Sequence, residues 1–278
     1  MEPQFEYVEG QIRSTFDVLL ARYAQLNNQT RANYEHHTDL VYGEHVRQRF
    51  DWFPGLGKIK GLVIYYHAGY WQSRDKSQFH FLAPNFVDTG WHFGLVNYPL
   101  CPEVSLQELT ELVSLSLNSL REETLRGQDV PVILIGHSAG SQIAVELALA
   151  NTRTAGLDKP AVNGVLGISG VYDPEPLIAT SLNKNLRLTP ATARAANVSR
   201  RFCAHAVPGL WVVGATETNA FLCQNSTQHH QWVTAGNASA SIEVPNTDHF
   251  SVLEEIMKWP LGNNPTYNQW LADILESH

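Results

Sequence analysis

One serine stands where a chain can make it reactive. Gly136-His137-Ser138-Ala139-Gly140 follows the apolar run Pro131 to Ile135 and leads into Ser141 to Ala150, a stretch rich in Ala, Leu, Val and Glu. A G-x-S-x-G at a strand-to-helix junction holds its serine in a strained turn with the hydroxyl lifted above the sheet. Both glycines are needed, because a side chain at either position would collide with the neighbouring strand or helix. The bare pentapeptide also suits a plain glycine-tolerant turn, and the strand and helix on either side are what favour a nucleophile. A serine hydroxyl attacks poorly until a base takes its proton, so the pattern demands a histidine and a carboxylate to orient it.

Twelve histidines are available, and His249 in PNTDHFSVLEEI is the one just beyond the last strand candidate and ahead of a helix-compatible run. His137 lies inside the turn and faces away, while His229 and His230 fall on a predicted helix. For the acid, Glu217 comes three residues after the strand candidate PGLWVVG, and carboxylates at strand C-termini reach the catalytic edge of an open sheet. Asp248 and Asp173 are the rivals. Asp248 adjoins the base, where side chains rarely bond in the needed geometry, so it is expected to shape the turn instead. The oxyanion of an acyl-transfer intermediate needs backbone donors. Ala139 heads the helix after the nucleophile and supplies one; Gly69, with Ala68 as the alternative, supplies the second from the loop His67-Ala68-Gly69-Tyr70-Trp71. Two aromatic residues after a small pair suit a site wall, although core packing would explain Trp71 equally well.

These residues need a scaffold that brings distant segments to one edge. VRQRFDWF alternates and ends at Pro54-Gly55, whereas GLVIYYH (Gly61 to His67) is a continuous apolar run of the kind buried on both faces. Trp91 to Pro99, Val162 to Gly170, Pro208 to Gly214 and Ser239 to Pro245 supply further strand candidates. Ser77 to Asp88 is helix-compatible, and leucines at 106, 109, 112, 117 and 120 mark an amphipathic helix from Ser105. Strands alternating with helices predict an α/β fold with a mostly parallel sheet covered on both faces. The chain reads as a single domain over residues 1–278, with residues 1–40 as an N-terminal cap and 172–207 as a small helical lid inserted between late strands.

Composition narrows the function. With 19 Lys+Arg against 27 Asp+Glu the formal net charge is -8, which argues against a nucleic-acid binder. No apolar run approaches the roughly 18 residues that cross a bilayer, and the first residues lack the basic and apolar regions of a signal peptide. Cys101, Cys203 and Cys223 are odd in number and lack C-x-x-C spacing, so a reducing cytoplasm is expected. No His/Asp/Glu set shows metal-ligand spacing, and no cofactor is expected.

His67 to Gln72, the turn GHSAG, SGVYDPEPL (Ser169 to Leu177), LRLTP (Leu186 to Pro190) and the spacing from Glu217 to His249 together resemble the kynurenine formamidase (arylformamidase) family of α/β-hydrolases, from about Tyr42 to Ile256. The resemblance implies an α/β-hydrolase fold, with the family's H-G-G-Y-W loop on His67 to Trp71, its nucleophile on Ser138, its acid on Glu217 and its base on His249. It implies water-dependent removal of the formyl group of N-formyl-L-kynurenine, releasing formate and an aromatic amine without a cofactor. Trp71, Tyr70, His67 and Tyr172 are then the expected substrate contacts. Ala68 stands in place of the family's first glycine, and Ala220 and Cys223 replace charged residues that usually follow the acid. Those departures keep open a carboxylesterase, amidase or carbamate hydrolase acting on another aromatic substrate with the same triad. The partners expected are a small aromatic amide or ester and, at most, a second copy of the chain in a homodimer; neither nucleic acid nor membrane is expected.

The acid assignment has a direct test. Steady-state kinetics of Glu217→Gln and Asp173→Asn should show the larger loss for Glu217→Gln, and a larger loss for Asp173→Asn would move the acid to that position.

Overall fold

The structure, a computed structural model, describes residues 2–150, 161–201, 206–262 and 264–278, so Cys203 lies outside the described residues. Eight strands form one sheet: β1 (His37–Val41), β2 (Arg49–Phe53), β3 (Gly61–Tyr66), β4 (Trp91–Val96), β5 (Val132–His137), β6 (Gly164–Ile168), β7 (Gly209–Gly214) and β8 (Ser239–Val244). Their order is β1-β2-β4-β3-β5-β6-β7-β8. β1 and β2 pair antiparallel, β2 runs antiparallel to β4, and every later pairing is parallel. Parallel neighbours end on the same edge, so the loops after β3, β5, β6, β7 and β8 emerge side by side.

The apolar strands divide their side chains between two cores. Leu62, Ile64 and Tyr66 of β3 face one core with Leu134 of β5 and Trp211 of β7. Val63 and Tyr65 face the other with Ile133, Ile135 and Val212. This period-two split explains why the runs carry no polar alternation: both faces are covered. Helices Leu106–Leu125, Ala139–Leu149 and Asn219–Thr234 cover the first face, with Leu109, Ile143 and Phe221 among their contributions. Tyr23 of helix Phe16–Asn33, Phe86 of helix Ala83–Asp88 and Ile274 of helix Pro265–Ser277 cover the second.

Helix Leu106–Leu125 begins where its serine predicts. The Ser105 side chain accepts from the Glu108 amide and Glu108 Oε2 accepts from the Ser105 amide at 2.8 Å, satisfying two otherwise orphaned donors. It runs past Leu120 until Arg126 turns left-handed at φ 48°. Two elements differ from the sequence reading. The stretch near 77–88 is a 3-10 segment, Lys76–Leu82, followed by a short α-helix. Strand β1 falls at the end of the stretch expected to be an N-terminal cap; it is an exposed edge strand with Asp39 at φ 57° and a shift of register, so it carries no apolar alternation to read. Between β6 and β7 lie the short helices Glu175–Ala179, Asn183–Leu186 and Pro190–Ala196. Among the described residues no helix is long and apolar enough to cross a membrane.

A buried charge cluster fastens β2 to the segment after β3. Asp51 is fully buried, accepts from His80 Nε2 at 2.7 Å and from the Asp39 amide at 2.8 Å, and pairs with Lys76 Nζ at 2.9 Å. Burial alone would raise the Asp51 pKa, but the His80 bond, the Lys76 charge and the Asp39 amide outweigh it and hold the carboxyl below its ordinary value. A depressed native pKa means this stabilisation is complete above the unfolded value of roughly 4 and is lost as pH falls through the native one. Asp51→Asn, which removes the buried one of the two carboxylates on Lys76 and the acceptor of His80, should cost about 3 kcal/mol in urea denaturation at neutral pH, and the gap between variant and wild type should close toward pH 3.

Candidate active site

The Ser138 turn is set by two close backbone approaches. A Cβ on Gly136 would overlap the Gly140 carbonyl, and one on Gly140 would overlap the Tyr66 carbonyl oxygen at the end of β3. The helix therefore starts hard against two strands, and Ser138 absorbs the bend at φ 55°, ψ −118°, a region non-glycine residues avoid. The turn is held from both sides: Ser138 N donates to Ile168 O of β6 at 2.8 Å, and the Ser141 hydroxyl donates to Gly136 O at 2.8 Å. Ala139 is the first helical residue, so its amide has no intrahelical partner and sits at the positive end of the helix dipole.

The loop after β7 brings in Glu217 and the loop after β8 brings in His249. His249 Nδ1 lies 2.7 Å from Glu217 Oε2. A carboxylate only accepts, so Nδ1 carries the proton and Nε2 keeps its lone pair. Glu217 Oε1 accepts from the Ser169 hydroxyl at 2.5 Å and from the Gly214 amide at 2.8 Å, which fixes the carboxylate plane. The Phe221 ring packs 4.6 Å from the His249 ring and Phe250 lies edge-on to it. His137 points away from the turn and donates Nε2–H to the His249 carbonyl at 2.7 Å, anchoring the loop that bears the base. Burial, reinforced by the neighbouring His249, holds the His137 pKa well below the imidazole range, so it stays neutral.

The rival carboxylates are occupied locally. Asp248 Oδ1 accepts from the Phe250 and Ser251 amides and the Ser251 hydroxyl, closing its own turn. Asp173 accepts from the Glu175 amide at 3.0 Å. In the loop after β3, Gly69 (φ 126°), Tyr70 (φ 49°), Trp71 (φ 58°) and Arg74 (φ 76°) are all left-handed. A Cβ at Gly69 would overlap the Ser73 carbonyl oxygen, so the tight curl requires glycine there; Ala68, beside it, is buried.

The expected substrate contacts separate into two groups. Tyr70 is half-buried and its hydroxyl donates to the Tyr7 carbonyl. His67, Trp71 and Tyr172 are fully buried. The His67 ring stacks on Tyr98 at 4.3 Å and on Phe79, and burial pushes its pKa down to about 4. Tyr172 tucks its ring against Gly170 and Trp211. Trp71 and Tyr172 are part of the first core cluster.

Three contributions escaped the sequence reading. Ser169, named there only within a motif, bonds the Glu217 carboxylate. Phe221 packs on the His249 ring. The N-terminal residues lie across the acid loop: Glu6 Oε2 accepts from the Ala220 amide at 2.9 Å, Gln224 donates to the Tyr7 hydroxyl at 2.9 Å, and Arg13 donates to Thr216 O at 2.9 Å. Pro at the first turn of helix Pro3–Tyr7 was a usable signal for that element, but nothing local in the sequence points to its destination. With this strap in place Ser138 is 1 % exposed.

A mostly parallel sheet with a strained serine turn after its central strand defines an α/β-hydrolase. The chain belongs to the α/β-hydrolase fold family, whose profile matches residues 63–209, and it is a hydrolase. It is similar to the kynurenine formamidase of Danio rerio, 28% identical over 254 residues that cover 88% of this chain and 86% of that protein. The kynurenine formamidase of Salmo salar is 26% identical over 79% of this chain and 76% of that one. Among solved structures, one from Silicibacter sp. described as a candidate thioesterase matches with a TM-score of 0.84 and 27% identity, covering 95% of this chain and 97% of that one. Esterase B from Lactobacillus rhamnosis, at 17% identity and a TM-score of 0.68 over 95% of this chain and 94% of that one, shares the fold.

Ser169→Ala removes one of the bonds that fix the Glu217 carboxylate while leaving the Glu217 to His249 bond in place. We expect kcat to fall about tenfold with little change in KM, since orientation of the base matters most in the transition state. A Ser169→Ala enzyme with wild-type kcat would show that the Gly214 amide suffices.

Proposed function

We propose that the chain is a serine arylformamidase, cleaving N-formyl-L-kynurenine or a related aryl formamide to formate and the aromatic amine. The observation that carries the reading is the 2.7 Å bond from His249 Nδ1 to Glu217, on the same sheet edge as the strained Ser138. The substrate class rests on similarity to kynurenine formamidases over 88% of the chain.

In the proposed reaction Ser138 Oγ attacks the formyl carbon while His249 Nε2 takes its proton, and Glu217 stabilises the imidazolium. The Ala139 and Gly69 amides hold the oxyanion. The C–N bond then breaks as His249 returns the proton to the departing aniline nitrogen. Water, deprotonated by His249, attacks the formyl-serine; formate leaves and Ser138 regains its proton. A formyl group needs almost no acyl pocket, so selection falls on the leaving group, and the short helices Glu175–Ala179, Asn183–Leu186 and Pro190–Ala196 act as a cap.

A second reading, an esterase or thioesterase with the same residues, is favoured by the likeness to the Silicibacter structure described as a candidate thioesterase. Both are resolved by one assay: chelator-treated protein is given N-formyl-L-kynurenine, with Ser138→Ala as control. Fast turnover that falls by several orders of magnitude in Ser138→Ala is the expected result. Negligible turnover beside rapid cleavage of aryl esters or thioesters would overturn the formamidase reading and keep the second.

A further inference from the structure

We infer that Arg74 is the docking point for an anionic group, a carboxylate, on the leaving-group half of the substrate; this rests on the formamidase reading and names the substrate's second recognised feature. Arg74 sits five residues beyond Gly69, and its Cγ comes within 2.9 Å of where a Gly69 side chain would begin. Its guanidinium carbon lies 5.6 Å from the Phe16 ring centroid and 5.4 Å from that of Phe250, and Phe250 directly follows His249. Those two rings form an edge-to-face pair 5.0 Å apart, so the cation rests on an aromatic seat.

What sets Arg74 apart is the missing anion. Among the described residues no carboxylate pairs with it, although it is half-buried and burial lowers its pKa from the ordinary arginine value. Of the neighbouring cations, Arg13 lies by Asp248, Arg47 by Asp75, and Lys76 between Asp39 and Asp51, while Arg31 is held by Asn28 Oδ1 and the His80 ring. Aromatic contact offsets only part of the desolvation of a guanidinium and leaves its in-plane N–H fork open, the geometry that receives a carboxylate.

The chemistry of the reaction places this fork on the correct side. His249 protonates the leaving nitrogen, so the leaving amine lies beside the imidazole and its substituents extend past it, toward Phe250 and Arg74. A cavity of about 480 Å³ lies between helix Phe16–Asn33 and the segment Arg74–His80, with Arg74 and Phe250 in its wall beside Asn27, Lys76 and the carboxylates Asp39, Asp51 and Asp75. N-Formyl-L-kynurenine carries its carboxylate on a side chain ortho to the formamide, on the half that leaves as the amine. The formyl half, which has no charge to recognise, needs no such group.

The test compares charge-bearing and neutral leaving groups. For Arg74→Gln, the ratio of kcat/KM on N-formyl-L-kynurenine to kcat/KM on formanilide should fall about 10- to 100-fold, expressed mainly in KM; Arg74→Lys should recover part of it. An unchanged ratio overturns the assignment. A second measurement needs neither turnover nor a variant: wild-type protein should bind the product L-kynurenine at least tenfold more tightly than its methyl ester by calorimetry. Equal affinities, or no binding of the acid, overturn the role of Arg74. If wild type prefers the acid, Arg74→Gln loses that preference and N-formyl-L-kynurenine is not cleaved, Arg74 stands as the carboxylate site and the formamidase reading fails.

Discussion

Everything at the catalytic edge depends on how closely one helix is allowed to approach two strands. Gly140 lies against the Tyr66 carbonyl and Gly136 against Gly140, so helix Ala139–Leu149 begins with no side chain to hold it off β3. That contact leaves one residue to turn the chain, and Ser138 pays in backbone strain by taking φ 55°. The strain is sustained because the surrounding packing over-determines it: β5 is flanked on both sides by parallel strands, and the Ser138 amide is bonded to the end of β6. A hydroxyl at the head of a helix, one residue before the first free amide, is the product of that packing.

The placing of Glu217 and His249 follows from a second constraint, that a buried carboxylate must have its acceptors filled. Glu217 is nearly sealed from solvent, and three donors reach it from the ends of three successive strands: Ser169 after β6, Gly214 at the end of β7, and His249 after β8. Each donor also serves the carboxylate's orientation, because leaving any oxygen unpaired at this depth carries a cost of about 1–3 kcal/mol. His137 completes the arrangement from beneath, tying the His249 carbonyl to β5. Stability and site geometry are thus the same set of bonds.

Above the site the first residues of the chain act as a strap. Glu6, Tyr7 and Arg13 bond to the acid loop, the oxyanion-side Tyr70 and the helix that carries Phe221. The Tyr7 and Phe221 rings meet at 5.5 Å, so a residue near the N-terminus backs the ring that covers the base. The same segment leads into helix Phe16–Asn33, which supplies Phe16 to the aromatic seat of Arg74. Site closure and leaving-group recognition therefore share one N-terminal element.

Much of this was legible from sequence because the signals are local. Apolar runs such as Gly61 to Tyr66 declare strands covered on both faces, Ser105 and Glu108 declare a helix start, and glycines flanking a serine between strand and helix declare the strained turn. Parallel topology then requires the segments after successive strands to share an edge, which is why Glu217 and His249 are expected on one edge, where they bond to each other. What the tertiary structure alone decided is contact between residues far apart in the chain: Ser169 on Glu217, Phe221 on His249, Gln224 on Tyr7, and Arg74 seated on Phe16 and Phe250. It also separated Tyr70, near the surface, from His67, Trp71 and Tyr172, which a shared motif had grouped together. Local pattern reports backbone preference and periodicity; which side chain meets which, and which charge is left without a partner, is set by packing across the fold.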